Sequence, residues 1–187
     1  MPKLILGFGA SSMQGVGDPE GGFFKRLEQL WRGRGPKPKF INQGIGGHTT
    51  RDMLSRLPQA AALSPDLTIV LLGCNDLPRN PDGSPERRTE LAEYQSNLEK
   101  LFSELPGDQR LFCSSFQPDL KRCGISTENF SLYMNAARSL AEDAGWDLLD
   151  FYQMSLEWQA DFYADDGMHA SAKGHAFMAE KILKGLE

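Results

Sequence analysis

Short apolar runs bounded by turn residues alternate along the chain with longer stretches in which apolar positions recur every three or four residues. The runs at 3–8, 39–42, 66–72, 109–114 and 146–151 predict five strands. Between them the period changes. Leu91, Tyr94, Leu98, Leu101, Phe102 and Leu105 fall on one face of a helix, and so do Phe130, Met134, Ala137, Leu140, Ala141 and Ala144. Phe23, Leu27, Leu30 and Trp31 mark an earlier helix, residues 50–63 another with Pro58 as its kink, and residues 171–186 the last. Such alternation predicts an α/β fold, a parallel sheet with helices on both faces. With 187 residues the chain suits one compact domain, 1–187, able to bury a core without disulfide staples. Sheets of this kind bind ligands beyond the carboxyl ends of their strands. Chemistry is therefore expected after Phe8, Asn42, Leu72, Ser114 and Phe151.

After the first strand comes Gly7-Phe8-Gly9-Ala10-Ser11-Ser12-Met13-Gln14-Gly15, in which glycines around a serine let the backbone turn sharply and expose a hydroxyl. Met13 rules out a G-x-S-x-G elbow, and no Gly-Lys-Ser/Thr follows to make a phosphate loop. After the second strand, Asn42-Gln43-Gly44-Ile45-Gly46-Gly47-His48-Thr49-Thr50 permits close backbone approach to a ligand; after the third, Gly73-Cys74-Asn75-Asp76 offers the amide of Asn75 as a donor. Taken singly, each is read as a tight strand-to-helix connection. The decisive stretch is Asp165-Asp166-Gly167-Met168-His169-Ala170-Ser171, just before the last helix. Asp166 and His169 are spaced so that one turn of backbone brings the carboxylate to Nδ1, fixing the tautomer that turns Nε2 toward a nucleophile. Asp165 sits one position too early.

Together these four segments resemble the SGNH hydrolases, the GDSL family of esterases and lipases. The four signature residues match Ser11, Gly47, Asn75 and His169 in order, and the second block looks like Asn42-x-Gly44-Ile45-x-Gly47-x-Thr49. The resemblance implies a flavodoxin-like three-layer α/β/α sandwich, with a five-stranded parallel sheet in the order 2-1-3-4-5. It also implies a shallow active site and a Ser11–His169–Asp166 triad without metal or cofactor. The oxyanion would be met by the backbone N–H groups of Ser11 and Gly47 and by the Asn75 amide. One departure is Gly9-Ala10-Ser11-Ser12 in place of the usual Gly-Asp-Ser-Leu, which removes a loop hydrogen-bond acceptor. Ser12 is a second hydroxyl, but the spacing of Gly9 and Gly15 favours Ser11. His48 is a substrate-side loop residue at most.

Composition narrows the partners. A net charge of -5 without clusters of Lys and Arg argues against nucleic acid. Residues 67–72 form an apolar run far too short to span a bilayer, so no membrane insertion is expected. The amino terminus reads as a buried strand rather than a signal peptide, and a cytoplasmic protein with Cys74, Cys113 and Cys123 reduced is expected. The partner is a small-molecule ester carrying a short- to medium-chain acyl group, because loops 77–85, 116–125 and 153–165 leave little room for a large lid. Arg79, Lys121 and Arg122 read as surface charge, Trp31, Trp146 and Trp158 as packing. Two other classes compete: a flavodoxin-like phosphate or flavin binder, and an inactive family member that binds carbohydrate. A metal hydrolase built on Asp165, Asp166, His169 and His175 is weaker, since its histidines lack i, i+4 spacing.

Overall fold

A computed structural model of the chain describes residues 2–32, 35–78 and 89–186. Five strands, β1 (Leu4–Gly9), β2 (Lys39–Gly44), β3 (Leu67–Leu71), β4 (Gln109–Cys113) and β5 (Asp147–Leu149), form one sheet in the order β2-β1-β3-β4-β5. Every pairing is parallel. The expected order and parallel pairing are thus observed. The helices are α1 (Ser11–Gln14), α2 (Gly22–Leu30), α3 (Thr50–Ala61), α4 (Leu91–Glu104), α5 (Thr127–Asp143), α6 (Phe151–Ser155) and α7 (Ala172–Gly185), with a 3-10 turn at Ala160–Phe162.

Alternation along the strands divides the core in two, because successive side chains leave opposite faces of a sheet. Leu6, Phe8, Val70 and Phe112 pack with Leu57 of α3, Leu98 and Phe102 of α4, and Phe130 and Met134 of α5. Ile5, Leu67, Ile69 and Leu71 pack on the other face with Phe23 and Leu27 of α2 and Met178 and Ile182 of α7. The central strand β3 is buried at every position, as a parallel strand covered on both sides must be. Each fully buried Phe or Leu contributes about 1.5–3 kcal/mol of transfer free energy, so the two faces clamp the sheet from both sides.

Helix starts follow local chemistry. The Thr49 side chain accepts from the Asp52 N–H while Asp52 accepts from the Thr49 N–H at 2.8 Å, a reciprocal cap. Ser126 and Ser171 cap α5 and α7 through Asn129 and Gly174. The helix predicted at 50–63 ends at Ala61 and continues unbroken through Pro58, which falls in its last turn. The strand predicted to reach Phe151 stops at Leu149: the Asp150 side chain accepts from the Gln153 N–H and starts α6 instead. Periodicity failed there because α6 is only 5 residues long. For the same reason the 4-residue α1 escaped prediction.

Register sets the site. Gly9 at the end of β1 pairs with Gly44 of β2 and with Leu71 of β3, so three strands end at one level. The segments carrying Ser11, Gly47 and Asn75 leave the sheet from that level.

Candidate active site

The chain turns out of β1 through Ala10, which is fully buried, and Ser11 opens α1. Across from it, the loop after β2 lies against α1. A side chain at Gly44 would put its Cβ 2.1 Å from the Gln14 backbone nitrogen, so only glycine allows this approach. Gly47 has φ +77, the left-handed region, where glycine bears no steric cost. A Cβ built on Gly46 would lie 3.9 Å from Ser11 Cβ, which places this loop beside the hydroxyl.

Asp166 and His169 occupy a turn between Tyr163 and Ala170, which pair as an isolated antiparallel bridge. The Ala164 N–H donates to the His169 carbonyl at 2.9 Å and closes it. Asp166 Oδ1 accepts from the backbone N–H groups of Met168 at 2.8 Å and His169 at 3.0 Å. Its other oxygen, Oδ2, lies 2.6 Å from His169 Nδ1. Partial burial disfavours the charged carboxylate, but the His169 ring and these two N–H groups outweigh it and bring the Asp166 pKa down to about 2. At neutral pH Asp166 can only accept, so Nδ1 carries a proton, and in the neutral form of the ring Nε2 presents a lone pair. That nitrogen is 2.9 Å from Ser11 Oγ, 158 residues away in sequence. Ser12 is buried alongside and lines the same cleft. Asp165 is exposed.

Asn75 lines the cleft with Ser11 and His169. Its Nδ2 donates to the His48 carbonyl at 2.9 Å, which uses one amide hydrogen and fixes the direction of the other. His48 therefore enters the site through its backbone. No side-chain rule could reveal that. The turn after Asn75 is held from below by Asp76, only 3% exposed, which accepts from the Thr50 N–H at 3.0 Å and the Thr50 hydroxyl at 2.7 Å. Burial pushes the Asp76 pKa up, against the bonds from Thr50. Asn97 of α4 completes the network by donating to Thr50 Oγ1 at 3.0 Å. In the sequence Asp76 carries no role of its own; an acid beside an expected oxyanion donor is the one signal that points to it.

Gly73 and Cys74 on one side and Ser115, Phe116, Pro118 and Met168 on the other complete the wall, around a cavity of about 10 Å³. Phe116 stacks on Trp158 with ring centroids 5.1 Å apart, and the Tyr163 hydroxyl donates to the Gln117 carbonyl at 3.0 Å. Arg122 and Lys121 are exposed on the neighbouring loop; Arg79 and most of loop 77–85 lie outside the described residues. His175 is nowhere near a cluster of metal ligands: its Nδ1 accepts from the Phe23 N–H and its Nε2 donates to the Val16 carbonyl, both at 3.0 Å. Among the described residues no group of three or more His, Cys, Asp or Glu side chains gathers in a way that suits a metal ion. No helix among them is long and apolar enough to cross a membrane.

Comparison with known proteins places this geometry. The chain is 28% identical over 210 residues to a human isoamyl acetate-hydrolyzing esterase 1 homolog, covering 100% of this chain and 82% of that protein. It is 24% identical over 205 residues to the Arabidopsis thaliana GDSL esterase/lipase CPRD49, covering 98% and 78% respectively. Its fold superimposes on a lipase/acylhydrolase from Enterococcus faecalis with a TM-score of 0.86 at 21% identity, covering 98% of this chain and 95% of that one. An acetylxylan esterase from Geobacillus stearothermophilus gives 0.80 at 20% identity, covering 97% and 93%. The family model of the GDSL-like lipases and acylhydrolases matches residues 8–177, from the end of β1 into α7. The chain belongs to the GDSL-like lipase/acylhydrolase family, and is a carboxylic ester hydrolase.

Proposed function

We propose that the chain hydrolyses short- to medium-chain acyl esters through a serine nucleophile and an acyl-enzyme intermediate. The observation that carries this reading is the continuous relay from Ser11 Oγ to His169 Nε2 at 2.9 Å and from Nδ1 to Asp166 at 2.6 Å. Ser11 attacks the ester carbonyl while Nε2 takes its proton; the imidazolium, held by the Asp166 carboxylate, then protonates the departing alcohol. Water repeats the sequence on the acyl-serine and releases the acid. Charge that develops on the carbonyl oxygen is met by the N–H groups of Ser11 and Gly47 and by the amide hydrogen of Asn75 not given to His48.

The acyl group lies against Phe116, Pro118 and Met168. The cleft is small, which supports a short acyl group. Relatives named for isoamyl acetate hydrolysis agree with that preference. The test is a fluorophosphonate probe together with a panel of p-nitrophenyl esters. The parent enzyme is expected to be labelled at Ser11 and to turn over acetate fastest. Ser11→Ala is expected to lose labelling and to lose on the order of 10⁶-fold in kcat. A Ser11→Ala enzyme that keeps parental activity sinks the reading.

A further inference from the structure

Backbone pairing between β1 and β2 ends where the Ile45 N–H donates to the Gly9 carbonyl at 3.2 Å, yet the two segments beyond must hold a serine and a glycine N–H at fixed separation. Besides Asn42, two side chains brace these segments. Arg56 projects from α3 and is only 8% exposed. Its Nη2 donates to the Gly9 carbonyl at 2.6 Å and its Nη1 to the Gln43 carbonyl at 2.5 Å. The guanidinium carbon sits 4.2 Å above the centre of the Phe8 ring. Burial lowers its pKa to about 10, which still leaves it charged at neutral pH. Gln14 lies on the opposite, exposed side at the end of α1, and its Oε1 accepts from the Gly46 N–H at 2.7 Å.

We propose that Arg56 and Gln14 are positioning residues of the ester-hydrolysing site, a two-sided clamp that sets the distance from the Ser11 turn to the Gly46-Gly47 loop. The proposal rests on Ser11 being the nucleophile. Gly9 is two residues before Ser11, and Gln43 is four before Gly47. A planar fork that donates to both carbonyls fixes the base of both segments at once, with a rigid geometry that the flexible ammonium of a lysine does not preset. Gln14 then ties the tips. The Asn42 side chain, donating from Nδ2 to the Met13 carbonyl at 2.8 Å, links the same two segments and leaves Gln14 little freedom to swing away. Neither residue touches the reacting atoms. Their effect is on where the donors stand, and a displacement near 1 Å costs on the order of 10²-fold in turnover.

The test compares Gln14→Ala, Gln14→Glu and Arg56→Lys with the parent and with Ser11→Ala, measuring kcat per active site counted by fluorophosphonate titration. Gln14→Ala, at an exposed position, is expected to fold normally and to lose about tenfold in kcat with KM changed less than about twofold. Gln14→Glu, which keeps the acceptor, is expected to recover most of that loss. Arg56→Lys is expected to lose about 10- to 100-fold in the same way. If Gln14→Ala and Arg56→Lys keep per-site kcat and lose only titratable sites or melting temperature, the two residues merely support the fold and the proposal is overturned. A glutamate variant no better than the alanine one also overturns it. A parent that resists labelling, with Ser11→Ala fully active, defeats the serine reading instead.

Discussion

The two halves of the relay are built in opposite ways. The turn that carries Ser11 is buried and over-determined: Ala10 and Met13 are fully buried, and Gly9 and Gly44 meet backbone atoms so closely that no side chain would fit. The turn that carries His169 is half out in solvent. The Asp166 side chain is 50% exposed and His169 15%, and the carboxylate holds its shape through two N–H groups two and three residues along. One turn gets its geometry from the whole sheet, the other from its own sequence. Substitutions in the first should propagate, and those in the second should act on chemistry alone.

Short of removing the nucleophile, Asp166→Asn gives the largest expected effect. The amide oxygen still accepts from the Met168 and His169 N–H groups, so the turn survives. Its NH₂ group, however, donates toward Nδ1 and forces the ring proton onto Nε2, which can no longer accept from Ser11. We expect kcat to fall on the order of 10⁴-fold, with a small loss of melting temperature at neutral pH. Asp165→Asn, one position earlier, should stay near the parent. Equal losses in the two variants, read by steady-state kinetics, would erase the distinction between local carboxylates.

Asn75→Ala probes the buried side. It removes the remaining amide hydrogen and also frees the His48 carbonyl, so kcat should drop by about 10²–10³ with little change in KM. A loss confined to KM would mean that Asn75 serves substrate binding only. Phe116→Ala opens the acyl wall and should move the butyrate-to-acetate ratio of kcat/KM about tenfold toward butyrate. An unchanged ratio would show that the acyl group lies elsewhere.

The same contrast explains what could be read from the chain. The Asp166–His169 pairing was legible because it is a three-residue spacing, and the sheet because its strands are apolar runs separated by periodic helices. Ser11 and Asn75 were legible through the resemblance of whole blocks, not through their own surroundings. What escaped depends on distant backbone: the His48 carbonyl that orients Asn75, the Arg56 guanidinium between Gly9 and Gln43, and Asp76 beneath Thr50. An arginine in an amphipathic helix carries no mark of turning inward. The short α1 and α6 escaped for a related reason, being under two turns and thus without a period.

His175 joins the two regions, and its titration gives the smallest expected effect. It follows the His169 turn on α7, is fully buried, and bonds Val16 and Phe23 on the serine side. Burial lowers its pKa from the ordinary 6.5, so the folded state resists a proton that the unfolded chain accepts. Stability from this group is complete above about pH 6.5 and is lost progressively as pH falls below it, where the unfolded chain binds more protons. Asp166, lowered to about 2 from 3.8, loses its contribution only in the far more acid window between those values. Asp76, raised by burial, works in the opposite sense, its contribution fading as pH rises above 3.8. The difference between the parent and His175→Gln isolates the histidine. Glutamine can still accept from Phe23 and donate to Val16, so the variant should lose only about 1–2 kcal/mol at pH 7. Between pH 7 and 5 the parent should lose melting temperature while His175→Gln stays flatter. Parallel curves would show that the proton does not reach this ring, and that the link between the two turns is indifferent to pH.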